Sequence, residues 1–249
     1  KESVGVLRQY CGEAGKTDNC QSGVFVGYSS KKGYGLLTSQ LYMPETWFSE
    51  EYDERRQFNL VPSDLEFQTK PQIALTLIHK IADTGLFPAK WLGCDATFGS
   101  DSNFLKSLPQ EMYYFAGIRS NAKVFLGKPE VGLPPYKGRG PRPQKIRLLA
   151  GQPEPQAVSK IAQAEGTQWT PVILAEGAKG PVVAEVMALR VYLSKKGLPE
   201  KNACWLFIRR SQDGQIKYAV SNAPEDIPFS DLCEAATMRW PIEQCFEEG

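Results

Sequence analysis

KWLGCDATFGSD (residues 90–101) places a short apolar run directly ahead of an acid. Residues 90–94 have the length and composition of a buried strand. Asp95 closes that run and begins a turn. Upstream, Thr69 can cap a helix with Pro71 in its first turn. Ile73, Ala74, Leu77, Ile78 and Ile81 then follow the 3.6-residue period, and Gly85 and Pro88 end it. Downstream, residues 100–108 (SDSNFLKSL) form a short capped helix and residues 113–118 (YYFAGI) another buried strand. Helix, strand, helix, strand is an α/β order. Because hairpin strands precede it, the expected sheet is mixed, with helices packed on it.

The first seventy residues read as strands and turns. Residues 3–9 (SVGVLRQ) alternate partially, and residues 20–28 (CQSGVFVGY) do so better. The turn signal SSKKG and the returning run YGLLTSQLYM (34–43) make a β-hairpin. Asp18 belongs to a turn before the second strand. A metal ligand is its other reading. Residues 44–68 are polar and irregular.

After residue 118 the composition changes. Residues 119–147 hold eight basic side chains against the single acid Glu130, with many prolines and glycines. Regular helix or strand is not expected there. A solvated linker is one reading. An arm along a phosphate backbone is the other, through Lys123, Lys128, Lys137, Arg139, Arg142 and Lys145. Residues 157–165 and 180–196 give weak signals. Residues 167–175, 203–209 and 216–221 read as strands, the last two joined by SQDGQ. Ser230 caps a final helix towards Trp240, which Pro241 either kinks or restarts. No internal repeat is visible.

The composition is that of a soluble globular chain: 249 residues, 42% hydrophobic, 23% charged, net charge +1. A charge so near zero excludes a uniformly basic nucleic-acid binder, so any basic footprint is local. No apolar run approaches the length of a membrane span, and the start lacks the apolar core of a signal peptide. The six cysteines are scattered with no Cys-x-x-Cys pair, as in reduced intracellular proteins. His79, the single histidine, sits in a helical pattern as an exposed residue, with no cysteine spaced to join it on zinc. Lys1 is not a methionine, and the chain stops just after a helical pattern, so a fragment is expected.

RWPIEQCFEE (239–248) sets Arg239 and Glu243 one helical turn apart on one face. Trp240 and Phe246 supply apolar surface to pin the segment. The pair is either a surface ion pair or a rigidly held carboxylate with a cation beside it. Asp95 has two readings as well. It is a helix cap, or a carboxylate at the open edge of a sheet, where α/β folds bind ligands. Two carboxylates on rigid elements suit hard divalent cations. Trp169 and Trp205 are either core residues or aromatic platforms for a flipped base.

Several stretches resemble bacterial insertion-sequence transposases of the DDE superfamily: SVGVLRQYCGEAGKTDNCQSGVFVGYSS, TKPQIALTLI, WLGCDATFGSD, PPYKGRG and RWPIEQCFEE. The likeness runs from Ser3 to Glu248. It implies a ribonuclease H-like core. Asp95 in GCDATFG matches the second catalytic aspartate, which closes a strand ahead of an aromatic-Gly motif. Arg239 and Glu243 match the Arg-to-Glu spacing of the signature Tyr-x-x-Arg-x-x-x-Glu-x-x-x-x-x-x-Lys. Ala236 stands at the tyrosine position, and the lysine would fall one residue past Gly249. The first catalytic aspartate would lie on a strand ahead of Lys1.

The resemblance implies three parts: a core at 1–118, an inserted β-rich, DNA-contacting subdomain at 119–228, and a catalytic helix at 229–249. The expected function is metal-dependent DNA cleavage and strand transfer in cut-and-paste transposition. Two Mg²⁺ or Mn²⁺ ions would be held by Asp95 and Glu243, with Arg239 beside them. Double-stranded DNA, at element ends and target, is the expected partner, bound by a homodimer in the bacterial cytoplasm at the nucleoid, without a membrane. This chain alone is expected to be inactive. The alternative is a non-catalytic DNA-binding remnant lacking the first aspartate. A repair or recombination nuclease of the same fold is a third reading.

Overall fold

A computed structural model describes residues 3–12, 14–30, 32–136, 138, 142–177, 180–238 and 240–248. The elements in chain order are β1 (Leu7–Cys11), β2 (Lys16–Cys20), β3 (Ser22–Ser30), β4 (Gly33–Tyr42), α1 (Asp53–Phe58), α2 (Lys70–Asp83), β5 (Trp91–Cys94), α3 (Ala96–Gly99), α4 (Ser102–Lys106) and β6 (Tyr113–Ile118). There follow β7 (Lys123–Phe125), β8 (Val131–Gly132), β9 (Arg147–Leu148), β10 (Gln156–Ala157), α5 (Val158–Ala162), β11 (Thr170–Gly177) and β12 (Gly180–Lys195). The last are β13 (Leu198–Pro199), β14 (Cys204–Ser211), β15 (Ile216–Ser221), α6 (Phe229–Ala235) and α7 (Trp240–Glu248). Two compact units result. One holds Lys1–Pro88, Lys106–Pro109 and Trp240–Gly249; the other holds Ala89–Leu105 and Gln110–Arg239.

In the first unit, β3 and β4 pair antiparallel from Ser22↔Tyr42 to Ser30↔Gly33, the hairpin expected from the turn signal. Val24 is buried in it. Helix α2 lies on this hairpin through Ile73, Ala74, Leu77 and Ile78, all buried. A capping box starts α2: the Thr69 side chain accepts from the Gln72 N–H, and Gln72 Oε1 accepts from the Thr69 N–H at 2.8 Å. Such a cap contributes about 1 kcal/mol. His79 is exposed, its Nε2 2.9 Å from the Ser107 carbonyl. Asp18 is not in a turn. It sits in β2, opposite Gln9 on β1, and pairs with Lys16 at 3.2 Å. Residues 16–20 pair with residues 7–11 as a hairpin of their own, so the strand begins before the residue 20 expected from alternation alone.

The irregular region after β4 is held by Trp47, which is fully buried and donates from Nε1 to the Val6 carbonyl at 3.0 Å. Helix α1 ends in a Schellman turn: the Val61 N–H donates to the Arg56 carbonyl at 2.9 Å and the Leu60 N–H to that of Gln57 at 3.1 Å. The left-handed position of this turn, with φ of 52°, is occupied by Leu60. A side chain there costs about 1 kcal/mol relative to glycine.

The second unit is built on a nine-stranded sheet in the order β10-β7-β12-β14-β15-β6-β5, with β11 and β13 also paired to β12. Strands β5 and β6 are parallel, and the other pairs are antiparallel. The fold is therefore α/β, a mixed sheet flanked by helices, consistent with a ribonuclease H-like core. Side chains alternate between the two faces. Phe207 and Ala219 lie on one face with Val186, Ala223 and Leu232 of α6, and Phe115 meets Phe207 edge-on at 5.2 Å. Leu206, Ile208 and Val220 are fully buried on the other. Each such side chain contributes about 1.5–3 kcal/mol. Lys90 ties the start of β5 to α6 through Asp231 at 2.9 Å.

Three features depart from the sequence reading. Residues 180–196, weak in the sequence, contain the whole of β12, the longest strand among the described residues. It is buried on both faces in its middle, so it lacks a two-residue polar alternation. The basic segment contains β7, β8 and the first residue of β9, and Val124 and Phe125 bury completely enough to draw β7 onto β12 despite the surrounding prolines. The helix expected from Ser230 is two helices. Pro228 precedes α6, a turn follows Ala235, and Pro241 stands in the first turn of α7. Strands from the range 119–228 join β5 and β6 in a single sheet, β15 pairing with β6 from Tyr218↔Ile118 to Ser221↔Phe115.

Candidate active site

Asp95 follows β5 and caps α3. Its Oδ1 accepts the Thr97 N–H at 2.8 Å and the Phe98 N–H at 3.4 Å. Both bonds fall on one oxygen, so the cap fixes the carboxylate while the residue stays exposed. Cap and cation ligand, alternatives in the sequence, are compatible in this geometry. The next helix, α4, is capped in the same way by Asp101, whose Oδ1 accepts from Asn103 and Phe104. The sequence predicts a capped helix over residues 100–108 without naming its cap.

Two glycines hold Asp95 against the sheet. A Cβ on Gly99 would stand 2.0 Å from the Gly117 carbonyl oxygen and 3.0 Å from the Ala116 Cβ. A Cβ on Gly117 would stand 3.1 Å from the Ala96 nitrogen and 3.3 Å from the Asp95 carbonyl carbon. Helix α3 thus rests backbone to backbone on β6. Gly99 was visible in the sequence only as part of an aromatic-Gly motif, and Gly117 carried no signal, because their approach needs β5 and β6 paired.

In the first unit, α7 packs on the β3–β4 hairpin. Ile242 fills the space over Gly27, its side chain 3.1 Å from where a Cβ would be, and Phe246 meets Phe25 edge-on at 4.9 Å. Ile242 and Phe246 are one turn apart and form the face that meets the hairpin. Glu243, one position on, is exposed. Phe246 does pin the segment, together with Ile242, while the Trp240 side chain lies outside the described residues. Arg239 lies outside the described residues, as do Lys137 and Arg139. Among the described residues no three His, Cys, Asp or Glu side chains form a group able to hold a metal.

Of the basic candidates, Lys123, Lys128, Arg142 and Lys145 are exposed. Lys128 lies over the Tyr192 ring at 5.9 Å and Arg142 over Tyr136 at 5.7 Å. Trp205 belongs to the core: it packs against the Phe207 cluster and donates from Nε1 to the Pro224 carbonyl at 2.9 Å. Trp169 is covered by Arg210 at 4.4 Å, and Arg210 also pairs with Glu185 at 2.7 Å. That triad is invisible in sequence, since it depends on the register Glu185↔Arg210 between β12 and β14. Burial pushes the Cys204 thiol up to about 12 and raises the Tyr114 phenol. Both are therefore neutral groups at neutral pH.

Asp95 is thus a strand-end aspartate, rigidly capped beside a parallel strand pair in a mixed α/β sheet. The profile of the DDE superfamily endonucleases matches residues 1–181, well over half the chain. The chain belongs to this family. The family implies a transposase-like nuclease with DNA as substrate, and its nucleases generally use divalent metal ions. Asp95 falls inside the matched range, and Glu243 and Arg239 fall beyond it. No curated protein and no solved structure matches the chain. Among the described residues no helix is long and apolar enough to cross a membrane.

Proposed function

We propose that this chain is the catalytic domain of a cut-and-paste transposase. The observation that carries the reading is Asp95, held rigid at the end of β5 inside the family match. Asp95 and Glu243 would hold two Mg²⁺ or Mn²⁺ ions, with the remaining carboxylate on a strand ahead of Lys1, as the resemblance implies. Ions bound there would supply an activated water or hydroxyl and stabilisation of the leaving oxygen. Arg239 positions Glu243 or a phosphate. The cut frees a 3′ hydroxyl, which is joined to target DNA. Residues 1–118 and 229–249 serve the chemistry, and 119–228 holds DNA. The protein acts as a homodimer on DNA in the bacterial cytoplasm, and this chain by itself does not cut.

The family's tyrosine position is Ala236 here, and this departure favours a second reading, a DNA-binding remnant without catalysis. One assay separates them. The full-length protein is given duplex DNA carrying the element's inverted-repeat ends, with Mg²⁺, Mn²⁺ or EDTA. Metal-dependent cuts at the ends are expected. Binding without cuts establishes the remnant, and cuts without end preference establish a general nuclease. In the same DNA titrations, changing Lys123, Lys128, Arg142 and Lys145 to Gln is expected to reduce the salt slope of binding by about 3–4. An unchanged slope removes residues 119–147 from the DNA interface.

A further inference from the structure

Leu60 and Phe58 are the most exposed large apolar side chains among the described residues, at 88% and 82%. They stand two residues apart on the Schellman turn of α1. That turn is rigid. The Arg56 carbonyl accepts the Val61 N–H, while its guanidinium donates to the carbonyls of Trp47 and Ser49 and pairs with Asp53. Leucine at the left-handed position strains the backbone and, being solvated, gains no burial in return. Glycine would serve the monomer better. The Leu60 side chain is thus suited to a contact that the single chain does not supply.

The surroundings say what kind of contact. Glu50, Glu51, Asp53, Glu54, Asp64 and Glu66 are exposed along the same segment, against Arg55 as its one exposed base. The knob is apolar with an acidic rim. The chain also carries the complement. Residues 119–147 hold eight basic side chains and one acid, and they expose Leu126, Leu133 and Ile146. We propose that the Phe58–Leu60 knob of one copy docks on the basic segment of a second copy. The acids pair with Lys and Arg at the rim, and the apolar side chains meet at the centre. The contact joins two different surfaces of the chain. It does not depend on the cleavage chemistry, and DNA that occupies the basic segment competes with it.

The test uses the full chain, mixed as ordinary and ¹⁵N-labelled protein at about 50 mM salt, where charge attraction reaches furthest. A zero-length carbodiimide is expected to join Glu54, Asp64 or Glu66 to Lys123, Lys128 or Lys145 across isotopes. Sedimentation is expected to show association that Leu60→Gly weakens by at least about tenfold. The same substitution relieves the turn and raises Tm by about 2 °C. Phe58→Ser gives the weakening without that rise. Cross-links between like isotopes alone place the contact within one chain and overturn the proposal. A chain that stays monomeric, or a Leu60→Gly variant that associates like the wild type, overturns it as well.

Discussion

Glu243→Gln and Asp95→Asn are each expected to lower DNA strand cleavage by the full-length protein roughly a thousandfold or more, about 4 kcal/mol of barrier. Both changes keep size and shape and remove one negative charge. Both residues are exposed, so neither change opens a cavity. The asparagine of the second variant can still cap α3 through its side-chain oxygen. Affinity for end DNA should stay within about twofold, because removing an acid does not remove a phosphate contact. Gel-based cleavage and fluorescence anisotropy on the same preparations separate the two effects. A variant that cuts at the wild-type rate refutes the role given to that residue.

Gly99→Ala carries the second large effect, and its origin is steric. Helical backbone suits alanine, so conformation alone would favour the change. The added methyl would nevertheless lie 2.0 Å from a carbonyl oxygen of β6, and that oxygen belongs to backbone that cannot rotate aside. Helix α3 must lift from the sheet, at a cost of about 2–4 kcal/mol. Lifting α3 also displaces Asp95, and misplacement by about 1 Å lowers a rate by roughly a hundredfold. Gly93→Ala in β5 is the control, since a Cβ there meets nothing within 4 Å. Chemical denaturation should show a large loss for the first and almost none for the second. Equal stabilities would mean that α3 does not rest on β6 as described.

What the sequence made legible was local. Helix α2 announces itself through Thr69, Pro71 and five apolar residues at helical spacing, and the β3–β4 hairpin through its turn and flanking alternation. Strands β6 and β15 occupy the residues expected of them, because each is a short apolar run bounded by breakers. Strand β12 stayed faint. Its Ala and Met residues and its two-sided burial remove the alternation that marks a strand. The break between α6 and α7 was half visible in Pro241, whose two readings only coordinates could separate.

The site divides along the same line. Asp95 at the end of a strand was legible, as was the apolar packing beside Glu243. The seat of α3 on Gly117, the Glu185–Arg210–Trp169 triad and the strained Leu60 were not. Each depends on residues brought together by pairing or on a backbone angle, and neither is written in local composition. The family match reaches Asp95 and stops before Glu243, so the second carboxylate rests on spacing and on the docking of α7 alone.

The central claim is that Asp95 and Glu243 grip the same divalent cations. Crystals of the full-length protein with end DNA, soaked in Mn²⁺ and measured at the manganese absorption edge, test it directly. Anomalous peaks are expected at about 2.0–2.3 Å from a carboxylate oxygen of each residue. Manganese bound by neither side chain, with the two carboxylates far apart in the DNA complex, would contradict it.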